Sequence, residues 1–459
     1  MTNNKILQSG YVEGIDDRRY VFTYDGKRLH LVPQDELSIK SYDFFKYDDK
    51  FFDNIIATNI KGQRIIFLRC KLNHLSSGYI SEPDGYICFS ENTSEFHTIV
   101  FKGKAINYFY RPNQIIDESK TKYDVNNGGG HIVLNTFDEI IKQHSIEIDG
   151  KKADMLLSVT QPQEPIWVQE EYTFGKPESI LRLDFKESIN IENFINSYRW
   201  IYNLLTFLNF RSNIDLGDIC LEKYDENGKI VKIADVHIVN KKKSESVDVD
   251  NTIGYYFINN KINELLKILN EKNLNLLFIP NSRVESLIRN IDAKKYMLCC
   301  TSFESVFNLR FPNAKMEEQE KAKEVKQELM QQIEILREKY KGKDKKKRKE
   351  LKKYADIIEL LDFGLSEKIQ YCIDKYQEDL SEYTNNVYIK FEITEEEKKG
   401  LVENFVKKRN VLTHSSLDEF DKIHIAAYLI VRAYIYVMIL DNAGVEMNLI
   451  RQAIDRVLE

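Results

Sequence analysis

The chain has 459 residues, of which 42% are hydrophobic and 30% charged, and its formal net charge is −6. That length suits two or three domains, and the composition is that of a packed globular protein rather than a disordered one. The charge excludes a protein coated along its whole surface by nucleic acid, but it allows a local basic cleft.

The first segment, "MTNNKILQSG", has no basic stretch followed by an apolar one, so no secretory signal is expected. Six cysteines are scattered without a CxxC pair, which points to a reduced, cytoplasmic protein. From residue 20 the pattern alternates. "YVFTYDGKRLHLVP" reads as two strands around Asp25-Gly26, and "QRIIFLRCKL", "GYICFS", "HTIVFKGKAINYFYR", "HIVLNTF" and "SIEIDGKKADMLLSVT" continue the theme. A helix over Ser188–Phe210 interrupts them, and a strand pair flanks Asp225–Gly228. The expectation is a β-rich domain over residues 1–245, sandwich or barrel-like with one helix. The polar, aperiodic stretch Asn240–Asn251 reads as the linker.

Beyond the linker the period becomes helical, so residues 252–459 are expected to form an all-α domain and the chain as a whole is of the α+β class. "YYFINNKINELLKILN" and "SRVESLIRNIDAKKYMLCCTSFESVFNLRF" are amphipathic, the second stopped by Pro312. Lys315–Tyr340 carries apolar residues at Ala322, Val325, Leu329, Leu336 and Tyr340, a stripe for a helical hairpin or a partner. Lys341–Lys353 is strongly basic; Lys345, Lys346, Lys347, Arg348 and Lys349 are its candidates for contacting an RNA backbone, beside the plainer reading of a solvated helix end. Thr394 with Glu397 is a capping box opening a helix through Thr413. Ser416 with Glu419 is a second one, opening a helix that ends at Gly444. The apolar stretch Ile423–Leu440 holds His424 and Arg432, so it reads as a buried core helix rather than a membrane span.

The junction between those two helices holds "KKRNVLTHSS". The stripe Val402, Phe405, 409, Leu412 puts Arg409 in an inward place, where a guanidinium needs an acid or an incoming anion. Asn410 and His414 are four residues apart and share a helix face beside it. Arginine forks onto phosphate oxygens without moving protons, and histidine transfers protons near neutral pH. Together they suit metal-free RNA cleavage, in which the ribose 2′-OH attacks the adjacent phosphate; the reading calls for no metal and no cofactor. One histidine supplies one proton-transfer group, and a two-fold homodimer would supply a second.

"RNVLTH" in a C-terminal helical bundle resembles the HEPN ribonuclease superfamily, and a β-rich half preceding it resembles the ApeA-type anti-phage members. The resemblance implies a dimeric, metal-independent endoribonuclease of an abortive-infection system, with Arg409, Asn410 and His414 as its catalytic residues. It also implies an acid on an earlier core helix, for which Glu304 in "TSFESVF" is the candidate. The β domain would then sense a phage-derived trigger, and no membrane is involved. The alternatives are a non-catalytic helical module that binds RNA or protein, and a toxin controlled by a partner antitoxin. Other candidates have plainer readings: "NNGGGH" as a turn, Cys70, His74, Cys88 and His97 as core residues rather than a zinc site, and Cys299-Cys300 as packing.

Overall fold

The computed structural model describes residues 7–15, 18–34, 49–75, 78–91, 93–117, 119–124, 129–131, 133–160, 166–168, 171–173, 177–211, 213–239, 251–270, 291–359, 364–414 and 419–458. Some helix and strand residues, His414 and 315–324 among them, are described by their backbone alone. The chain divides into two compact units, Met1–Lys267 and Ile268–Glu459. The α+β class and the order of sheet before helices are as expected.

The first unit contains β1 (Gln8–Ile15), β2 (Arg18–Tyr24), β3 (Leu29–Pro33), β4 (Phe51–Asn59), β5 (Arg64–Lys71), β6 (Asn73–Leu75), β7 (Gly78–Ser81), β8 (Gly85–Phe89) and β9 (Glu95–Lys102). There follow β10 (Lys122–Asp124), β11 (Gly129–His131), β12 (Lys142–Ile148), β13 (Lys151–Val159), β14 (Ile166–Val168), β15 (Glu171–Thr173), β16 (Ser179–Asn190), β17 (Asp218–Tyr224) and β18 (Ile230–Ile238). Fourteen of these form one antiparallel sheet in the order β12-β13-β16-β9-β17-β18-β8-β5-β4-β1-β2-β3-β7-β6. The pairs β10–β11 and β14–β15 are separate ribbons.

The expected sandwich is thus one continuous sheet with a core on each face. Ile66, Ile87, Val236, Ile219, Phe101, Leu181 and Leu157 lie directly opposite one another across seven strands and are all buried. On this face α1 (Lys104–Phe109) packs against β9 and β16, and α3 (Phe194–Leu208) packs on α1. The opposite row runs Ile65, Cys88, Asp235, Cys220, Val100 and Arg182. At the β5 end that face is apolar, with Ile65 and Phe67 clustered with Val12, Phe22, Leu31 and Cys70. Toward β16 it becomes polar, and Arg182 pairs with Glu222 at 2.7 Å. Because β5 is covered on both sides, it reads as an unbroken apolar run instead of an alternating one.

Three expectations for this unit need correction. "HTIVFKGKAINYFYR" is a strand only through Lys102; beyond Gly103 its buried Ala105, Ile106 and Phe109 follow a helical spacing and form α1. The helix expected from Ser188 starts at Phe194, because Ser188–Asn190 finish β16. The domain boundary falls at Lys267 rather than in the 240s. Ile253 N–H donates to Leu208 O at 2.8 Å, Tyr255 OH lies 3.0 Å from His144 Nε2, and Lys267 pairs with Glu147 at 3.6 Å. Residues 252–267, including α4 (Tyr255–Ile258) and the start of α5 (Ile262–Leu269), therefore belong with the sheet. The short α2 (Phe137–Ile140) occupies the end of "HIVLNTF".

The second unit continues with α6 (Ala293–Arg310), α7 (Ala314–Lys339), α8 (Lys345–Glu359), α9 (Leu365–Tyr376) and α10 (Ser381–Lys390). It ends with α11 (Glu395–Lys399), α12 (Leu401–His414), α13 (Lys422–Asn442) and α14 (Met447–Leu458). The apolar α13 is central, packing against α6, α10, α12 and α14. It is long and apolar enough to cross a membrane, yet 83% of that window is buried within the protein, as expected of a core helix. Gly444, at φ 78°, ends it in a Schellman motif, with Val445 N–H on Leu440 O and Gly444 N–H on Asp441 O.

Helices α7 and α8 pack chiefly on each other. The stripe expected to serve that hairpin does not: Val325 is 60% and Leu329 48% exposed. Of the expected stripe Tyr340 is half-buried, in a row with Met330, Ile333 and Arg337.

Candidate functional site

Helices α6, α9 and α12 pack against one another, and the candidate residues lie where they meet. The capping box of Thr394 and Glu397 forms as expected: Glu397 N–H donates to Thr394 Oγ1 at 3.2 Å and Thr394 N–H to Glu397 Oε2 at 2.8 Å. The helix it opens is short, because α11 stops at Gly400 and α12 begins afresh at Leu401. The inward row of α12 is Leu401, Phe405 and Lys408, all buried, followed by the half-buried Leu412. Arg409 is half-buried beside the row, and Asn410 is exposed.

Lys408 fills the inward place by snorkelling. Its Nζ sits 4.6 Å from the centre of the Phe420 ring and donates a hydrogen bond to Glu419 O. Phe420 in turn lies 5.4 Å from Tyr296, which also contacts Phe405 and Tyr428. This packing draws residues 419–421 out as extended chain. The second helix therefore opens at Lys422 with Asp421 as its N-cap, not at Ser416, which lies outside the described residues. Asp421 N–H donates to His424 Nδ1 at 3.2 Å.

Arg409 Nη1 donates to Asn410 Oδ1 at 3.2 Å, and its Nε is enclosed without a hydrogen-bond partner among the described residues. The expected pairing with Glu304 is not formed. Glu304 instead lies 3.7 Å from Nζ of Lys368 on α9. Both Glu304 and Arg409 act electrostatically on the Cys300 thiol. Burial pushes that thiol up to about 12; Arg409 opposes the shift and Glu304 adds to it. Burial also pushes the wholly buried Cys299 well above its ordinary value, so both thiols are inert packing groups, as expected. His414 is the last residue of α12, one turn beyond Asn410 on the same helix face, as the spacing predicted.

The basic segment forms the start of α8. Lys345, Lys346, Lys347 and Lys349 are exposed and Arg348 half-buried. Asp344 accepts from the N–H groups of Lys346 (3.1 Å) and Lys347 (3.0 Å), and its carboxylate lies 3.5 Å from Lys347 Nζ. Such a run of cations in a first turn opposes the helix dipole, which gives an anion a reason to bind there.

In the sheet unit, Cys70 and Cys88 pack in or against the apolar cluster, in keeping with the core reading. Among the described residues no group of three or more His, Cys, Asp or Glu is placed to hold a metal ion. A groove of about 580 Å³ over β9, β17 and β18 is lined by Lys102, Asp218, Cys220, Lys232, Asp235 and His237.

The chain matches no family model, no curated protein and no solved structure. The HEPN-like reading of the site accordingly rests on its residues.

Lys408, His424 and Lys368 were not among the expected site residues. The signal for Lys408 was its own spacing, three residues after Phe405 and four before Leu412, which completes the inward row as well as Arg409 does. Lys368 left no comparable signal, since its place follows from the packing of three helices distant in sequence.

Proposed function

We propose that the chain is a metal-independent endoribonuclease of the HEPN type, with a β-rich domain that senses a trigger and holds activity back. The observation that carries this reading is Arg409: a half-buried guanidinium that forms no ion pair among the described residues, beside Asn410 and one turn before His414. In this mechanism the fork of Arg409 binds the scissile phosphate and stabilises charge in the transition state. Asn410 holds that fork or a phosphate oxygen, and His414 moves the proton. A homodimer through the helical unit supplies the second proton-transfer group, and the first turn of α8 adds sequence-blind affinity for RNA. The cell biology proposed with it is cytoplasmic, abortive-infection defence against phage.

The test is cleavage of RNA by the wild type and by His414→Ala, both with EDTA present. Wild-type cleavage in EDTA, lost on substitution and leaving 2′,3′-cyclic phosphate ends, is the expected outcome. Activity that needs a metal and survives His414→Ala overturns the mechanism. A second reading, an RNA-binding module without catalysis, is favoured by the basic first turn of α8; it is supported if the wild type binds RNA tightly and leaves it intact.

A further inference from the structure

A guanidinium that is to receive a phosphate must not already be held by a carboxylate of its own protein. The nearest candidate for such self-inhibition is Glu304, on the helix that packs directly against α12. Glu304 and Arg409 lie on helices that pack against each other, yet no ion pair joins them. What holds the carboxylate is Lys368 on α9, the third helix of the junction. Its side chain is only 12% exposed, with the ammonium 3.7 Å from Glu304 Oε1 and 5.9 Å from the centre of the Phe307 ring. Burying a lysine to that extent costs solvation, so its place needs a return beyond packing.

We propose that Lys368 is a positioning residue that engages Glu304 and so keeps Arg409 open to an oxyanion. Without the ammonium, Glu304 turns from a neutralised neighbour into an intramolecular competitor for the phosphate. The residue acts through Arg409 and does not touch the substrate. The proposal rests on the nuclease reading for its activity readout, but it also makes a claim about folded-state charge pairing that stands apart from catalysis.

The experiment compares the wild type with Lys368→Met, Lys368→Arg, Glu304→Gln and the double variant Glu304→Gln/Lys368→Met. Cleavage of a short unstructured RNA is measured alongside thermal unfolding. Lys368→Met is expected to lower kcat/KM by about 10-fold or more, mainly through KM, because a competing ion pair of ordinary coupling must be broken before RNA binds. Lys368→Arg retains activity, and the double variant recovers to the level of Glu304→Gln alone. A Lys368→Met enzyme as active as the wild type overturns the proposal, and so does a double variant as impaired as Lys368→Met. If the wild type does not cleave RNA, the nuclease reading falls and unfolding decides this one. Arg409→Gln should then lower Tm more in the Lys368→Met background than in the wild type, since only there does Arg409 pair with Glu304. Equal shifts in both backgrounds refute it.

Discussion

In the proposed nuclease Arg409 is the residue on which the chemistry turns, and its surroundings separate function from stability. It is half-buried beside the inward row of α12, and its described side-chain partner is Asn410, so removing it orphans no described acid. Arg409→Ala should change folding stability by less than about 0.5 kcal/mol, as for substitutions outside the core. It should lower kcat/KM for RNA by about 100-fold to 1,000-fold, the usual loss when one transition-state donor is removed. Arg409→Lys keeps the charge without the fork and should recover only part of that loss. Unfolding curves and steady-state cleavage rates check the two halves separately. A large loss of stability would mean that the guanidinium is a structural group.

At the scale of elements, the junction between α12 and α13 is held by Lys408. Lys408→Met keeps the apolar stem but removes the donor to Glu419 O and the cation over Phe420. The expected cost is about 1–3 kcal/mol, the penalty of leaving a shielded polar group unmade, read as a lower Tm. Faster hydrogen exchange at Asp421 and His424 should accompany it, and an unchanged exchange pattern would argue against the strap. This junction also shows what was legible in the sequence. The capping box at Thr394, the C-cap at Gly444 and the helical setting of His414 are local signals, and each is found where it was expected. The assignment of Arg409 to the buried row failed because both Lys408 and Arg409 fall between Phe405 and Leu412 at helical spacing, and the buried place is taken by Lys408. The second helix opens at Lys422, beyond Phe420 and its contacts with Lys408 and Tyr296, while Ser416 lies outside the described residues. In the sheet, hairpins marked by Asp-Gly were readable. The two-faced burial of β5 depends on partners far along the chain and was not.

For the whole molecule, both units contain a histidine that resists its proton. Burial is the main cause at His424, with Lys408 adding to it and Asp421 opposing it; at His144 the cause is burial. A histidine whose folded value lies below its unfolded one contributes nothing unfavourable above the ordinary value near 6.5. As pH falls through that value toward the lower folded one, the unfolded chain binds protons first and stability is lost. Tm should therefore fall as pH drops from about 7.5 to about 5, before the carboxylates titrate. The double variant His144→Gln/His424→Gln should flatten that fall, and an equal slope in wild type and variant would refute the assignment. A different consequence follows from β18. It is the strand that joins β17 to β8, so the early strands keep an unpaired edge until the chain has been made past Ile238. Domains generally fold from the N-terminus as they are synthesised. The ribosome thus makes the last strand of the sheet before Arg409 and His414 exist as peptide, so the sheet can close before any residue of the candidate site is made.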